Sequence, residues 1–490
     1  MEPEMDALKV PILPEHQSSS PTPWSSRLTK RIIIPTAVSG ALALGIFSFF
    51  LNFNSAPVPV PLPGSLYSVI IDAGSSGSRV HVFKYSIDQS GAPVYSFGPD
   101  HHKVSRFLGG LSTYANNLEG AKEKVEQLVG FAKEIVPQDM WSRTDIRLMA
   151  TAGMRAIAKT DQESILNTAK QVFRSRPGFH FRDEWAYVIS GSDEGLYAWI
   201  IANHALGLLG NTGTTGIVEL GGASAQVTFE LSNQQVNSVD SHMKTCNSFP
   251  YRIYSHSFPN YGKDAALKRL MDNLQYPDGE EVEEDVEDPC TPQGYTYQNN
   301  RRKYLSVFLA DESEYTRLVA AGNFARCKIK TLELLQEGNE MCPSNSCAIG
   351  STYTPPVQGR FLATSNFAYT SEFFHLNELN WMSDLRQKGE EFCQKTWEAL
   401  ELEYRGTLNY SEEYLRGYCF SSAYIIAMLE RLGFNDESTI EFSNEVHGTS
   451  LDWALGAFID SFSQPSIAPA PSPALTSGHS GGDSRKFLGF

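Results

Sequence analysis

The stretches Ile71-Asp-Ala-Gly-Ser-Ser-Gly-Ser-Arg-Val-His-Val-Phe83 and Ile217-Val-Glu-Leu-Gly-Gly-Ala-Ser-Ala-Gln-Val-Thr-Phe229 repeat one pattern without a gap. An apolar run ends in an acidic residue, small residues follow, and a second apolar run returns. Setting Asp72 against Glu219 also aligns Gly74 with Gly221, Arg79 with Gln226 and Val80 with Val227. The pattern predicts two β-hairpins with glycine-rich turns. One such turn is ordinary chain reversal, but two matched copies, each with a carboxylate at the end of a buried strand, are not. A charge placed there is costly unless it is paired or lies near a cation. Backbone N–H groups in turns of this kind form concave sites for phosphate oxygens, because the small residues let the phosphate approach. The hairpins therefore predict a phosphate site lined by small residues, with Asp72 and Glu219 holding a metal ion or its waters.

Two phrases between the copies extend this site. Residues 146–157, Ile-Arg-Leu-Met-Ala-Thr-Ala-Gly-Met-Arg-Ala-Ile, read as a strand entering a helix through Thr151, Ala152 and Gly153, whose turn offers N–H groups to an anion. Residues 188–210 read as a strand, a glycine turn and a helix opening at Ser192. Ser192 is a good N-cap, and Asp193 and Glu194 suit any first helical turn. Between two phosphate hairpins, however, Glu194 is the candidate general base, because hydrolysis needs a carboxylate within reach of an attacking water.

The rest of the chain frames this body. With 490 residues and 41% hydrophobic content it can bury a core of two or three folding units. Its formal charge of −16 argues against nonspecific nucleic-acid binding. Ile32 to Phe53 holds no charged residue and is long enough, as a helix, to cross roughly 30 Å of hydrocarbon. Arg27, Lys30 and Arg31 precede it, so residues 1–31 are expected in the cytosol and the catalytic part in a lumen or outside the cell. That makes the chain a single-pass type II membrane protein of the Golgi or plasma membrane. Pro57, Pro59, Pro61 and Pro63 make residues 54–65 a semi-rigid stalk, and residues 463–490 have too little apolar content to fold.

All seven cysteines follow the span, where disulfides are the default. The expected pairs are Cys290 with Cys327, Cys342 with Cys347 and Cys393 with Cys419, which leaves Cys246 single. Asn409, in Asn-Tyr-Ser, is a glycosylation acceptor. The acidic run at 278–288 lacks EF-hand spacing and reads as a solvated loop without chemistry.

Taken in order, DAGSSGSR, ATAGMR, GSDEGLYAWI, ELGGASAQ and then FCQKTW with DWALGAF resemble the conserved regions of the apyrases, the GDA1/CD39 nucleoside phosphatases. The resemblance covers about residues 66–462. It implies an α/β protein of two actin-like (ribonuclease H-like) lobes with the active site in the cleft between them, lobe I being residues 66–190 plus 444–462 and lobe II residues 191–443. It implies hydrolysis of the terminal phosphates of nucleoside tri- and diphosphates with Ca²⁺ or Mg²⁺. Carried over, Glu194 is the base, and Ser224 and Gln226 hold the nucleophilic water. Asp72 and Glu219 bind the metal through water, and Ser75, Ser76, Gly77, Ser78, Thr151, Ala152, Gly222 and Ala223 surround the phosphates. Arg79 is given a structural role. Tyr369 stands where relatives stack an aromatic on the base, with Tyr414 a weaker candidate for the opposite face. Many relatives carry aspartate at the position of Glu219, and the extra methylene bears on the metal shell. The actin-like arrangement also serves sugar kinases and ATP-driven chaperones, but no acceptor pocket or peptide-binding domain is visible in this sequence.

Overall fold

The computed structural model of the chain describes residues 64–175, 177–232, 241–246, 249–297, 315–342, 347–377, 381–405 and 412–462. The expected cytoplasmic tail, the span at 32–53, most of the stalk, Asn409 and the tail at 463–490 lie outside the described residues. No helix among the described residues is long and apolar enough to cross a membrane.

Two mixed sheets are built to one plan. In the first, β1 (Leu66–Ala73) is central and pairs antiparallel with β2 (Gly77–Ile87). The other edge of β2 is covered by β3 (Pro93–Tyr95) and β4 (His102–Leu108). On its far side β1 runs parallel to β5 (Asp145–Ala150), which is followed by β6 (Ala186–Val188). In the second sheet β7 (Gly216–Leu220) takes the place of β1 and pairs antiparallel with β8 (Ser224–Glu230). Beyond β8 lie β10 (Phe249–Pro259) and then β9 (Ser241–Cys246). β11 (Phe361–Ser365) and β12 (Ile440–Phe442) are the parallel neighbours on the other side of β7. Two six-stranded sheets, each with a central strand, three strands built outward from its antiparallel partner on one side and two parallel strands on the other, fit an actin-like fold.

Each sheet has an outer helical layer. The first is covered by α1 (Leu118–Ile135) and α2 (Lys159–Arg174). Asn117 caps α1 by accepting from the Gly120 N–H. The second sheet is covered by a larger group that includes α4 (Lys263–Gln275), α5 (Phe324–Gln336), α7 (Trp381–Cys393) and α8 (Glu412–Leu432). Disulfides join Cys290 to Cys327, Cys342 to Cys347 and Cys393 to Cys419, and Cys246 is free and buried. The acidic run is not solvated throughout: Asp288 at its end is fully buried and accepts from the Tyr297 hydroxyl and the Cys290 N–H.

A third core lies between the sheets and is filled by α3 (Gly191–Ala205) and α9 (Trp453–Asp460). The two helices approach so closely that a Cβ on Gly456 would stand 1.9 Å from the Tyr197 carbonyl oxygen. Strand alternation then decides where the site is. Val69, Ile71 and Ala73 face the outer layer and Ile70 the central one, so Asp72, two residues beyond Ile70, shares the central face. Likewise Val218 and Leu220 face outward and Ile217 inward, which puts Glu219 on the central face too. Arg79 and His81 share that face with Phe83, and Gln226 lies opposite Val227 on β8.

Candidate active site

The two hairpins are in the same register. Asp72 stands across from Arg79 and Glu219 across from Gln226. Arg79 Nη1 donates to Asp72 Oδ2 at 2.7 Å, while Asp72 Oδ1 is buried without a hydrogen-bond partner. In the second copy Ser365 Oγ donates to Glu219 Oε1 at 3.0 Å, and Oε2 is buried without a partner. Each carboxylate thus has one oxygen anchored and one left open. Burial pushes the Asp72 carboxyl up to about 7 against the pull of Arg79. It pushes Glu219 up to about 8, helped by the negative charge of Glu194. Buried acids with open oxygens that feel each other's charge are suited to a cation. Among the described residues no three His, Cys, Asp or Glu side chains are arranged to ligate a metal directly. The open oxygens therefore fit a hydrated ion better than a bare one.

Ser365 ends β11 with φ of 59°, a conformation that costs a non-glycine residue of order 1–3 kcal/mol. It is held by Asn444, which accepts from the Ser365 N–H at 2.7 Å, while Asn366 donates to the Leu220 carbonyl. From this position the Ser365 hydroxyl is the donor to Glu219 Oε1.

Glu194 lies in the first turn of α3. The cap of this helix is Ser190 rather than the expected Ser192: the Ser190 hydroxyl accepts from the Asp193 N–H and lies 2.7 Å from the Asp193 carboxylate. That frees Glu194 from capping. Its Oε2 accepts from Arg155 Nη2 at 2.9 Å and faces Gln226 Nε2 at 3.5 Å. Burial raises the Glu194 carboxyl above the ordinary range although Arg155 opposes it. Gln226 Nε2 donates to Ser224 Oγ at 2.6 Å and to Ser257 Oγ at 3.1 Å, and Arg155 Nη2 stands 3.4 Å from Ser224 Oγ. The base candidate and both expected water-holding residues thus form one hydrogen-bonded group.

The small residues close together as well. A Cβ on Gly222 would lie 2.9 Å from Ser75 Oγ and 2.8 Å from Asp264 Oδ2, and one on Gly153 would lie 2.7 Å from Ser75 Cα. Ser75 therefore sits where the first hairpin, the 151–153 turn and the second hairpin meet. Thr151 N–H donates to the Ala73 carbonyl, and the Ser76 carbonyl accepts from Gly109 N–H. Gly77 touches the β4 backbone, its Cβ position lying 2.7 Å from the Phe107 carbonyl. Ser78 is fully buried with an unpartnered hydroxyl, and Ala152 and Ala223 are buried. Tyr369, on α6 (Asn366–Phe373), is 46% exposed and so not core. Tyr414 is also exposed, with Lys263 Nζ 5.7 Å over its ring.

Sequence reasoning gave Arg79 only a structural role and left Arg155 and one acid, Asp452, without any. Arg79 and Arg155 are the partners of Asp72 and Glu194. Asp452, which caps α9, stands 3.7 Å from Arg79 Nε and 3.6 Å from His81 Nε2. Burial alone would raise the Asp452 carboxyl, but His81 and Arg79 hold it below the ordinary range. Each of the three was inside a quoted motif, and an arginine or aspartate within a motif was the available signal.

The sequence profile of the GDA1/CD39 (nucleoside phosphatase) family matches residues 64–470. The chain belongs to this family. It is a nucleotide phosphohydrolase. It is similar over its whole length to probable apyrase 3 of Arabidopsis thaliana, 50% identical over 506 residues and covering all of both chains. It is 30% identical over 444 residues to ectonucleoside triphosphate diphosphohydrolase 3 of Mus musculus, covering 84% of this chain and 80% of that one. A nucleoside triphosphate hydrolase from Neospora caninum shares the fold with a TM-score of 0.59 at 16% identity, over 85% of this chain and 95% of that one.

Proposed function

We propose that this chain hydrolyses the terminal phosphoanhydride bond of nucleoside tri- and diphosphates by direct attack of water, with Glu194 as general base and Ca²⁺ or Mg²⁺ held through water by Asp72 and Glu219. The observation that carries this reading is the Glu194–Gln226–Ser224 group, tied by Arg155 and close enough to the two hairpin carboxylates for Asp72 and Glu219 to feel the charge of Glu194. Arg155 occupies Glu194 Oε2, which leaves Oε1 to take a proton from water. The Ser224 hydroxyl accepts from Gln226 and faces Arg155, so its own proton is left for the water oxygen. Water attacks the terminal phosphorus as its proton moves to Glu194, the bond to the bridging oxygen breaks with that oxygen and the electron pair leaving on the shortened nucleotide, and the attacked phosphorus becomes inorganic phosphate. A bound cation neutralises phosphate charge as the terminal group transfers. Ser75, Ser76, Gly77, Ser78, Thr151, Ala152, Gly222 and Ala223 line the phosphates, and Tyr369 offers an exposed ring to the base.

The finer placement is that residues 66–190 with 444–462 form one lobe and 191–443 the other, with a transmembrane helix at 32–53 that leaves the catalytic body lumenal or extracellular. Three disulfides support an oxidising compartment. The test is phosphate release from a panel of nucleoside tri-, di- and monophosphates by the purified chain, with and without chelator. Release from tri- or diphosphates that chelator abolishes is expected; equal rates with chelator would refute the reading.

A further inference from the structure

The Arg79 guanidinium is held along two edges. Nη1 donates to Asp72 Oδ2 at 2.7 Å, and Nε faces Asp452 Oδ2 at 3.7 Å. Asp452 is itself fixed: its Oδ1 accepts from the Ala454 N–H at 3.0 Å, and His81 Nε2 closes the other side of Oδ2 at 3.6 Å. His81 is in turn buried and backed by His102, ring nitrogen to ring nitrogen at 3.1 Å. A guanidinium beside a carboxylate tends to close a two-pronged pair, taking both oxygens. Here it takes one, and Asp72 Oδ1 remains open.

We infer that Asp452 is a positioning residue for the cation site: by drawing the Nε edge of Arg79 toward itself, it stops Arg79 from covering both Asp72 oxygens and keeps Oδ1 available to a divalent cation's water. This rests on the assignment of Asp72 to the cation. It also joins the two halves of the chemistry mechanically. Asp452 caps α9, which is locked against the Glu194-bearing α3 at the Gly456–Tyr197 contact. The cation carboxylate of the first hairpin is thus registered to the helix that carries the base. Glu194 and Glu219 also feel the charge of Asp452, so an effect of removing that charge must be shown to run through Arg79.

Asp452→Asn keeps the shape and the cap, since asparagine caps as well as aspartate, and removes the charge facing Arg79. The probe is Ca²⁺ titrated calorimetrically into metal-free protein, which needs no turnover. Partners of metal-binding side chains typically contribute about 10–100-fold to affinity, and the lower end, about tenfold weaker Ca²⁺ binding, is expected for Asp452→Asn. Asp452→Glu, which keeps the charge, should recover most of it. In an Arg79→Gln background Asp452→Asn should cost nothing further. Unchanged Ca²⁺ binding in Asp452→Asn overturns the inference. So does the same tenfold loss in both backgrounds, since the charge would then act without Arg79. If Asp452→Asn does not fold, Asp452→Ser, which also caps, takes its place with the same outcomes. Asp72→Asn separates the two levels: if it binds Ca²⁺ as the wild type does, the cation assignment itself fails. If it loses Ca²⁺ while Asp452→Asn does not, only the positioning role fails.

Discussion

Replacing Glu194 with glutamine separates a base from a helix-terminal charge. Glutamine keeps the side-chain volume, and its Oε1 can still accept from Arg155 Nη2 at the 2.9 Å position now held by the carboxylate. The buried charge disappears, and with it both the desolvation that raises the Glu194 carboxyl and the attraction of Arg155 that opposes it. Those two effects oppose each other. The cap does not change, because Ser190 and not Glu194 supplies it. The stability change is expected to be about 1 kcal/mol or less, which in a body of this size shifts the melting temperature by about 2–4 °C at most. The rate has no such compensation. An amide cannot take a proton from water, so kcat should fall by about 10²–10⁴, equivalent to about 3–5 kcal/mol of transition-state stabilisation. Nucleotide binding should persist, since the residues proposed to line the phosphates and to hold the cation are untouched. Steady-state phosphate release, a thermal melt and nucleotide binding by calorimetry measure the three quantities on one preparation. A variant that melts normally and turns over at more than about a tenth of the wild-type rate removes Glu194 from the mechanism.

The raised acids set a pH dependence for the cation. Burial lifts Asp72 to about 7 and Glu219 to about 8, above their unfolded values, so the folded protein binds these protons more tightly than the unfolded chain. Their stabilisation is full below about pH 4 and is lost as pH rises through 7 to 8. Ca²⁺ needs the deprotonated pair, so it should raise the melting temperature more at pH 8 than at pH 5; an equal or opposite shift contradicts the assignment. Gly222→Ala places a Cβ within 2.9 Å of Ser75 Oγ and 2.8 Å of Asp264 Oδ2, and should destabilise by about 1–3 kcal/mol with a larger loss in kcat/KM, as melts and kinetics would show. For topology, a C-terminal epitope should be protected from protease in sealed microsomes and an N-terminal one cut, and the reverse pattern overturns the expected orientation.

The site was legible where its logic is local and repeated. The hairpins announce themselves because Asp72 and Glu219 recur at one place in a gapless repeat, and strand alternation then fixes the face they share. What stayed hidden depends on distant pairing. Nothing near Phe361–Ser365 says that this strand lies beside β7, so the hold of Ser365 on Glu219 could not be read, nor its positive φ, which serine does not advertise. Asp452 was visible only as part of a motif, because its contact with Arg79 joins residues from opposite ends of the body. The cap of α3 was misread for another reason. Ser190 and Ser192 both satisfy the local rule for a cap, and the end of β6 decides which one stands at the first turn.

The two hairpins are equal in backbone and unequal in chemistry, and the inequality lies at one aligned position. Across from its acid the first copy carries Arg79 and the second Gln226. An arginine there donates a charged hydrogen bond that keeps Asp72 oriented and neutralises part of the buried charge. A glutamine gives Glu219 no such relief, and Ser365 supplies a neutral donor instead. Gln226 is thereby free to reach the other way, to Ser224, Ser257 and Glu194. In the first copy the cross-strand partner holds the acid, and in the second it joins the Glu194 group instead. An exchange of these two residues would put a guanidinium beside Ser224 and Glu194 and leave Asp72 without a counter-charge. On the proposed mechanism the duplicated fold divides the labour of hydrolysis between its halves, and Arg79 and Gln226 mark the division.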